Sequence, residues 1–258
     1  MSVEFDEEAA RSLERSYQTA DIAEQRRRTL AAIDLQAGES ALDVGCGPGF
    51  LVREMAEQLG EKGRAVGIDS SEQMLALAGR RTADLPQVAL IEGRIEDSGI
   101  KDDSFDAVCC SQVLLFLADT GAALAEFHRI LKPGGRLAVI ETDWRGVVLN
   151  ADDDALTRRM FAAWDAAQVT PNLPVCLKRT IEEAGFSNVE IEGIPIINTS
   201  FGPEGFSGGM LRGVAKKAKA TGFVSDEEAK SWIDDLKARN AVGDYFFCVN
   251  RFLFKAVK

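Results

Sequence analysis

The 258-residue chain has a single histidine, and its five cysteines form no CxxC pair. They are Cys46, Cys109, Cys110, Cys176 and Cys248, an odd number, with Cys109 and Cys110 adjoining inside an apolar run. That spacing argues against a disulfide scaffold and a zinc site, so no metal is expected and a reducing cytoplasm is the expected compartment. No apolar stretch reaches the roughly 18 residues that a membrane span needs. The opening MSVEFDEEAARSLERS is acidic and lacks an apolar segment, so no secretory signal is read there. Basic residues are also scarce, 30 against 41 acidic, for a net charge of -11. A broad polyanion binder needs Lys and Arg to displace counterions from phosphates, and an anionic membrane surface makes the same demand. Nucleic acid and membrane are therefore set aside as partners. A phosphate-bearing ligand held by backbone amides is not, because amides need no net charge.

What the chain does have is an ordinary globular balance, 46% apolar and 28% charged. Short apolar runs recur at Ala41–Val44, Ala65–Ile68, Val88–Ile91, Ala107–Cys110 and Leu137–Ile140, each gap wide enough for one helix. That is the βαβ rhythm of a parallel sheet. Ser70-x-x-Gln73 reads as a capping box opening the second of these helices, and Lys132-Pro133-Gly134-Gly135 as a helix stop and turn. Residues 1–37 read as an N-terminal helical cap before a domain over 38–258, with insertions at 143–175 and 202–240. The first insertion carries an amphipathic helix. The second begins Gly-rich and ends in a helix capped by Ser225-x-x-Glu228. Val189–Thr199 and Tyr245–Val257 are the remaining strands.

The segment ALDVGCGPGF places an apolar strand directly before Gly45-x-Gly47-x-Gly49. Glycines there let the backbone turn sharply and approach a ligand with no Cβ in the way. Asp43 ends the strand, and Asp69 ends the next, where a carboxylate takes both hydroxyls of a ribose. This is a nucleoside-cofactor pattern, and alone it fits NAD and S-adenosylmethionine alike.

Four segments together resemble the class I S-adenosylmethionine-dependent methyltransferases, over roughly residues 36–142. They are ALDVGCGPG, VGIDSSEQML (66–75), SFDAVCCSQVLLFL (104–117) and RILKPGGRLAVIE (129–141), and the core is similar to quinone-biosynthesis C-methyltransferases. The resemblance implies an α/β, Rossmann-like, doubly wound sheet: seven mostly parallel strands, an antiparallel last strand and helical lid insertions. It implies S-adenosylmethionine as cofactor and S-adenosylhomocysteine as product. Asp43, Gly45, Cys46, Gly47 and Gly49 would line the methionine end. Asp69 and Ser70 would sit at the ribose, and Met74 near the adenine. Arg94, Ile95 and Glu96 fall at the adenine edge, and Ser111 and Gln112 beside the sulfonium. Many relatives have Asp where this chain has Arg94, which has no acceptor, so the contact falls to Glu96, Asp97 or the backbone. Tyr17, Gln25 and Arg26 lie in N-terminal helices that in some relatives fold over the methionine carboxylate; Arg26 is its natural charge partner, and it reads equally as a solvated member of the run Arg26-Arg27-Arg28.

In an open parallel sheet, ligands bind beyond the carboxyl ends of the strands, and both insertions leave from such ends. The expected acceptor site is enclosed by them, with Tyr17, Trp144, Arg145, Phe201 and Tyr245 as substrate-contacting candidates. Phe206 and Phe247 lie in the same stretches. His128 falls mid-helix away from that site and reads as a surface or packing residue. Asp143, just past the fifth strand, is the candidate base or orienting residue; it would equally serve to cap the insertion's first turn. The expected activity is methyl transfer to an O, N or C atom of a small molecule. The alternatives are an RNA or protein methyltransferase and a cofactor-binding protein without transfer activity. The residues name neither the acceptor nor an oligomeric state.

Overall fold

The computed structural model describes residues 14–258, so residues 1–13 of the expected cap and of the acidic opening lie outside the described residues. Eight strands form one sheet: β1 (Ser40–Val44), β2 (Arg64–Asp69), β3 (Val88–Glu92), β4 (Phe105–Ser111), β5 (Leu131–Thr142), β6 (Val148–Leu149), β7 (Ser187–Asn198) and β8 (Phe247–Val257). The spatial order is β3-β2-β1-β4-β5-β8, with β7 on the far side of β8. β1 to β5 are parallel, and β8 runs antiparallel to both β5 and β7. The order reverses between β1 and β4, which puts the ligand cleft of an open sheet above their carboxyl ends.

A short two-residue strand joins the expected seven. After Thr142 the chain turns through a single 3-10 turn at Trp144–Gly146 and returns to β8, pairing Val148 with Cys248 and Leu149 with Phe247. β5 pairs with β8 only from Arg251 onward, so the edge before it is free to take this short strand. The chain beyond the end of β5 is thereby held over the sheet's carboxyl edge.

Helices cover both faces. α1 (Ala20–Ile33) and α2 (Phe50–Leu59) press Leu30, Ile33, Val52 and Met55 onto the face carrying Ala41, Ile140 and Leu253. On the opposite face α4 (Thr120–Ile130) and α6 (Pro174–Glu183) bury Leu124, Phe127, Leu177 and Ile181 against Val108, Val139 and Phe254. At about 1.5–3 kcal/mol for each large side chain removed from water, these layers dominate the favourable side of folding. His128, in the last turn of α4, lies edge-on to Phe186 at 5.1 Å and beside Gly185, as a packing residue would.

α3 (Glu72–Arg81) starts one residue later than its sequence pattern suggests. Asp69 Oδ1 accepts from the Ser71 N–H at 2.9 Å, which keeps Ser70 outside the helix. Ser71 Oγ then accepts from the Met74 N–H at 3.3 Å and is the cap.

The insertions hold α5 (Asp154–Asp165), α7 (Phe206–Ala220) and α8 (Asp226–Ala241). The Gly-rich stretch is not a loop throughout, since Gly208 and Gly209 lie inside α7. A Cβ at Gly208 would stand 2.1 Å from the Gly202 carbonyl oxygen, so glycine is what lets the lead-in cross the helix. The box at Ser225 and Glu228 forms as the sequence predicts. Met160, Leu211, Trp232 and Leu236 make a third core with Phe247 and Val249, which anchors all three helices to the start of β8.

Candidate active site

The loop between β1 and α2 carries Gly45, Gly47 and Gly49 at φ of +68°, +51° and +82°. Two of the three are required by packing. A Cβ on Gly45 would lie 2.2 Å from Val113 Cγ2, and one on Gly49 would lie 2.7 Å from Ala78 Cβ and 2.8 Å from its Cα. At Gly47 the nearest atom is the Tyr17 hydroxyl, at 3.8 Å. The loop therefore presents bare backbone to the cleft at Gly47.

The loop amides are engaged by the protein itself. Gly45 and Cys46 N–H both donate to the Ile68 carbonyl, at 2.8 and 3.1 Å, and Gly49 N–H donates to the Cys46 carbonyl at 3.0 Å. Gly47 N–H donates to Asp69 Oδ2 at 2.8 Å, and Pro48 has no N–H. A pyrophosphate cradle needs several such amides pointing at the ligand. Here they hold the loop against β2, and the groups left for a ligand are carboxylates.

Asp43 is 2% exposed, and its Oδ2 is buried without a hydrogen-bond partner. Burial, and next the nearby Asp69, push its carboxyl up to about 7. Burial also raises Asp69, against the amides of Ser71 and Gly47 that stabilise its charge. Two carboxylates held in poor solvent at adjacent strand ends favour a cationic ligand. Cys46 is buried, its thiol pushed far up by burial, and it fills the space over Gly67.

On the β2–β3 side, Ser70 is exposed and Met74 is buried beneath it on α3. Ile95 is buried in the turn after β3. Arg94 donates to Glu96 Oε1 at 2.8 Å, while Glu96 Oε2 is buried without a partner. The arginine in place of the family's aspartate thus orients a neighbouring carboxylate and leaves one of its oxygens unbonded.

The N-terminal segment lies over this loop. Tyr17 stacks on Phe50 at 6.0 Å, and Glu14 pairs with Arg81 at 2.5 Å. Arg26 already has two partners within the protein. Its Nε pairs with Glu54 at 2.8 Å, and its Nη1 donates to the Tyr17 carbonyl at 2.7 Å. Gln25 donates to Ser111 Oγ at 3.0 Å, tying α1 to the end of β4. Gln112, at φ +60°, donates to the Ile140 carbonyl at 3.1 Å and accepts from Thr142 Oγ1.

The turn after β4 hangs on a residue that sequence reasoning did not single out. Glu141 Oε1 accepts from the N–H of Val113 at 3.1 Å and of Leu114 at 2.8 Å. The side chain is fully buried, and burial pushes its carboxyl up to about 8. Its signal in the sequence is a charged residue closing an otherwise apolar strand. Glu141→Ala is expected to cost about 2 kcal/mol in urea unfolding, since two buried amides lose their acceptor. Glu141→Gln keeps that acceptor and is expected to recover most of the loss.

The substrate-side candidates divide into two groups. Asp143 Oδ1 accepts from the Arg145 N–H at 3.2 Å and caps the turn after β5. Trp144 and Arg145 line a cleft of about 440 Å3 against α5, together with Phe161, Arg158 and Asp165. Phe201 and Tyr245 pack on one another at 5.5 Å and belong to the core under α7 and α8. The Tyr245 hydroxyl donates to Ser207 Oγ at 2.8 Å. Phe206 and Phe247 lie in the same core. Among the described residues no His, Cys, Asp and Glu group could hold a metal ion, and no helix is long and apolar enough to cross a membrane.

Fold and loop together define a Rossmann-like nucleoside-cofactor-binding protein. A methyltransferase-domain family (Methyltransf_11) matches residues 42–139, the segment from β1 to β5. An uncharacterized 37.1 kDa protein in transposon TN4556 of Streptomyces fradiae is 33% identical over 88% of this chain and 65% of its own length. A demethylmenaquinone methyltransferase of Staphylococcus aureus is 34% identical over 64% of this chain and 75% of its own length. For the Staphylococcus epidermidis protein of that name the match is 37% identical and spans about half the relative, 48%. Among solved structures, Haemonchus contortus phosphoethanolamine N-methyltransferase 2 in complex with S-adenosyl-L-methionine superimposes at a TM-score of 0.65 and 20% identity. That alignment covers 98% of this chain and 57% of that one. The chain belongs to the class I S-adenosylmethionine-dependent methyltransferase family.

Proposed function

We propose that the protein transfers a methyl group from S-adenosylmethionine to an O, N or C atom of a small molecule. One observation carries the choice of cofactor: the loop amides bind the protein, and the ligand meets two carboxylates raised by burial. That arrangement opposes a pyrophosphate and suits a ligand bearing an ammonium and a sulfonium. In this reading Asp43 takes the ammonium, Gly47 gives backbone access, Asp69 and Ser70 meet the ribose, and Met74, Ile95 and Glu96 enclose the adenine. Bound there, the cofactor supplies an electrophilic methyl group, and transfer leaves S-adenosylhomocysteine.

The protein's remaining task is to align the acceptor and exclude water. In this reading the insertion helices act as a lid, and the N-terminal segment, whose Tyr17 faces Gly47, closes the loop side. The small-molecule reading rests on the matched demethylmenaquinone methyltransferases and on the acidic surface, which disfavours RNA. Calorimetry with S-adenosylhomocysteine and with NAD tests the cofactor; binding of NAD alone overturns the reading. Methyl transfer across phenol, quinol and amine acceptors tests the activity, and cofactor binding without transfer would support a regulator instead. Asp143 remains the proposed base, since its cap uses one carboxylate oxygen. Asp143→Asn is expected to lower kcat at least about tenfold, within the range of general-base effects, with S-adenosylhomocysteine binding unchanged. Full turnover in that variant removes Asp143 from the mechanism.

A further inference from the structure

Arg251 lies on β8, opposite Thr142 of β5 and Ile194 of β7, and is 5% exposed. It stands in the register of Phe247, Val249 and Leu253, on the apolar side of an alternating strand. A guanidinium so placed normally carries a carboxylate partner. Among the described residues this one has no ion pair. Its Nη1 donates to Gln25 Oε1, its face lies 4.8 Å from the centre of the Phe206 ring, and its Nε is buried with no partner. Gln25 links it onward to Ser111 at the end of β4. The Tyr17 hydroxyl lies within electrostatic reach of Arg251 and also of Asp43 and Asp69 at the loop. Arg251 therefore sits under α1, across Tyr17 from the cofactor carboxylates.

We infer that Arg251 is the anchor for an oxyanion on the methyl acceptor, a carboxylate, a phosphate or an ionised hydroxyl. The inference rests on the cofactor reading above together with the family resemblance, which would put the reactive sulfonium beside Ser111 and Gln112. Glu141 and Asp21 act on Arg251 from a distance without pairing with it, and an incoming oxyanion takes the unpartnered Nε–H as the direct, hydrogen-bonded counter-charge. Gln25 holds the guanidinium plane in position for it. Phe206 closes the other side and keeps water from screening the pair. Neutral acceptors of the same shape can accept from the Nε–H but bring no charge, so their bond is the weaker one. The one other oxyanion in reach of the cleft is the cofactor's own methionine carboxylate, and the experiment separates the two.

Wild-type protein saturated with S-adenosylhomocysteine is titrated with acetate, benzoate and inorganic phosphate, and with the neutral isosteres acetamide and benzamide. Binding is read by calorimetry and by shifts in the protein's NMR spectrum. At least one anion is expected to bind about tenfold more tightly than its neutral counterpart, as a charge-assisted pair in a dry site should. Arg251→Gln is expected to abolish that preference while changing S-adenosylhomocysteine affinity less than about twofold, and Arg251→Lys to restore part of it. Absence of any anion preference in the wild type overturns the inference. A tenfold loss of S-adenosylhomocysteine affinity in Arg251→Gln overturns it too, assigning the arginine to the cofactor. Failure of the wild type to bind S-adenosylhomocysteine at all would instead sink the cofactor reading, whatever the anions do.

Discussion

Asp43→Asn is expected to raise the melting temperature of the ligand-free protein at pH 8 and to abolish measurable S-adenosylhomocysteine binding. The carboxyl sits at about 7 in the native state, from burial first and Asp69 second. In the unfolded chain it titrates near its ordinary ~3.9. The native state thus binds a proton that the unfolded chain releases. The stability this group supports is complete below about pH 4, falls as pH rises to about 7, and is flat above. At pH 8 the charged, buried Asp43 costs on the order of 4 kcal/mol. Asparagine keeps the shape and titrates nowhere. For a chain of this size the gain corresponds to roughly 5–10 °C. About half of it should remain at pH 5.5, because half the titration window lies below that pH. Calorimetric melts of both proteins at pH 5.5 and 8 check the sign. Equal melting temperatures at pH 8 would mean that Asp43 is compensated by a group the geometry does not show. Loss of binding alongside gained stability is what a site held in poor solvent for its ligand should display.

Gly49→Ala and Gly47→Ala should fail in different ways. At Gly49, φ of +82° meets a contact of 2.8 Å with the backbone of Ala78, so α3 must move away from the loop. Left-handed strain of about 1–2 kcal/mol and overpacking of about 1–3 kcal/mol together predict a loss near 3 kcal/mol. At Gly47 the φ of +51° carries the strain alone, about 1 kcal/mol, because only the Tyr17 hydroxyl stands nearby. Its new methyl group enters the face offered to the ligand, so S-adenosylhomocysteine affinity should fall at least about tenfold, on the scale set by losing a close backbone approach. Urea unfolding and calorimetry on the pair separate the effects. If Gly47→Ala binds normally, the cleft does not lie where the loop faces Tyr17.

Much of this site is written locally. A strand, a turn at positive φ and a helix start demand their residue types within ten positions, so ALDVGCGPGF announces the loop before any contact is known. Asp43 and Asp69 follow because each is an acid at the end of an apolar run, Asp43 one residue before the last of β1 and Asp69 the last of β2. The capping box at Ser225 is equally local. The misplaced start of α3 shows the limit of such reading. Ser70 and Ser71 are the same residue type, and the choice between them was made by Asp69, whose carboxylate takes the Ser71 amide.

By itself, then, the sequence determined the sheet's rhythm, the glycine loop and the carboxylates beside it, because backbone geometry and strand period act over a few residues. The scarcity of histidine, paired cysteine and positive charge narrowed the chemistry in the same local way. Only the tertiary structure decided what surrounds the reacting end of the cleft. Arg251 and Gln25 are 226 positions apart, and Gln25 and Ser111 are 86 apart. Nothing in either neighbourhood signals the other. Arg26 carries the same charge as Arg251 and lies nearer the loop in sequence, yet Glu54 and the Tyr17 carbonyl occupy it. The sheet brings Arg251 to the end of β5, and α1 brings Gln25 over it. Whether a buried charge is already paired or still lacks a partner is settled by that packing alone.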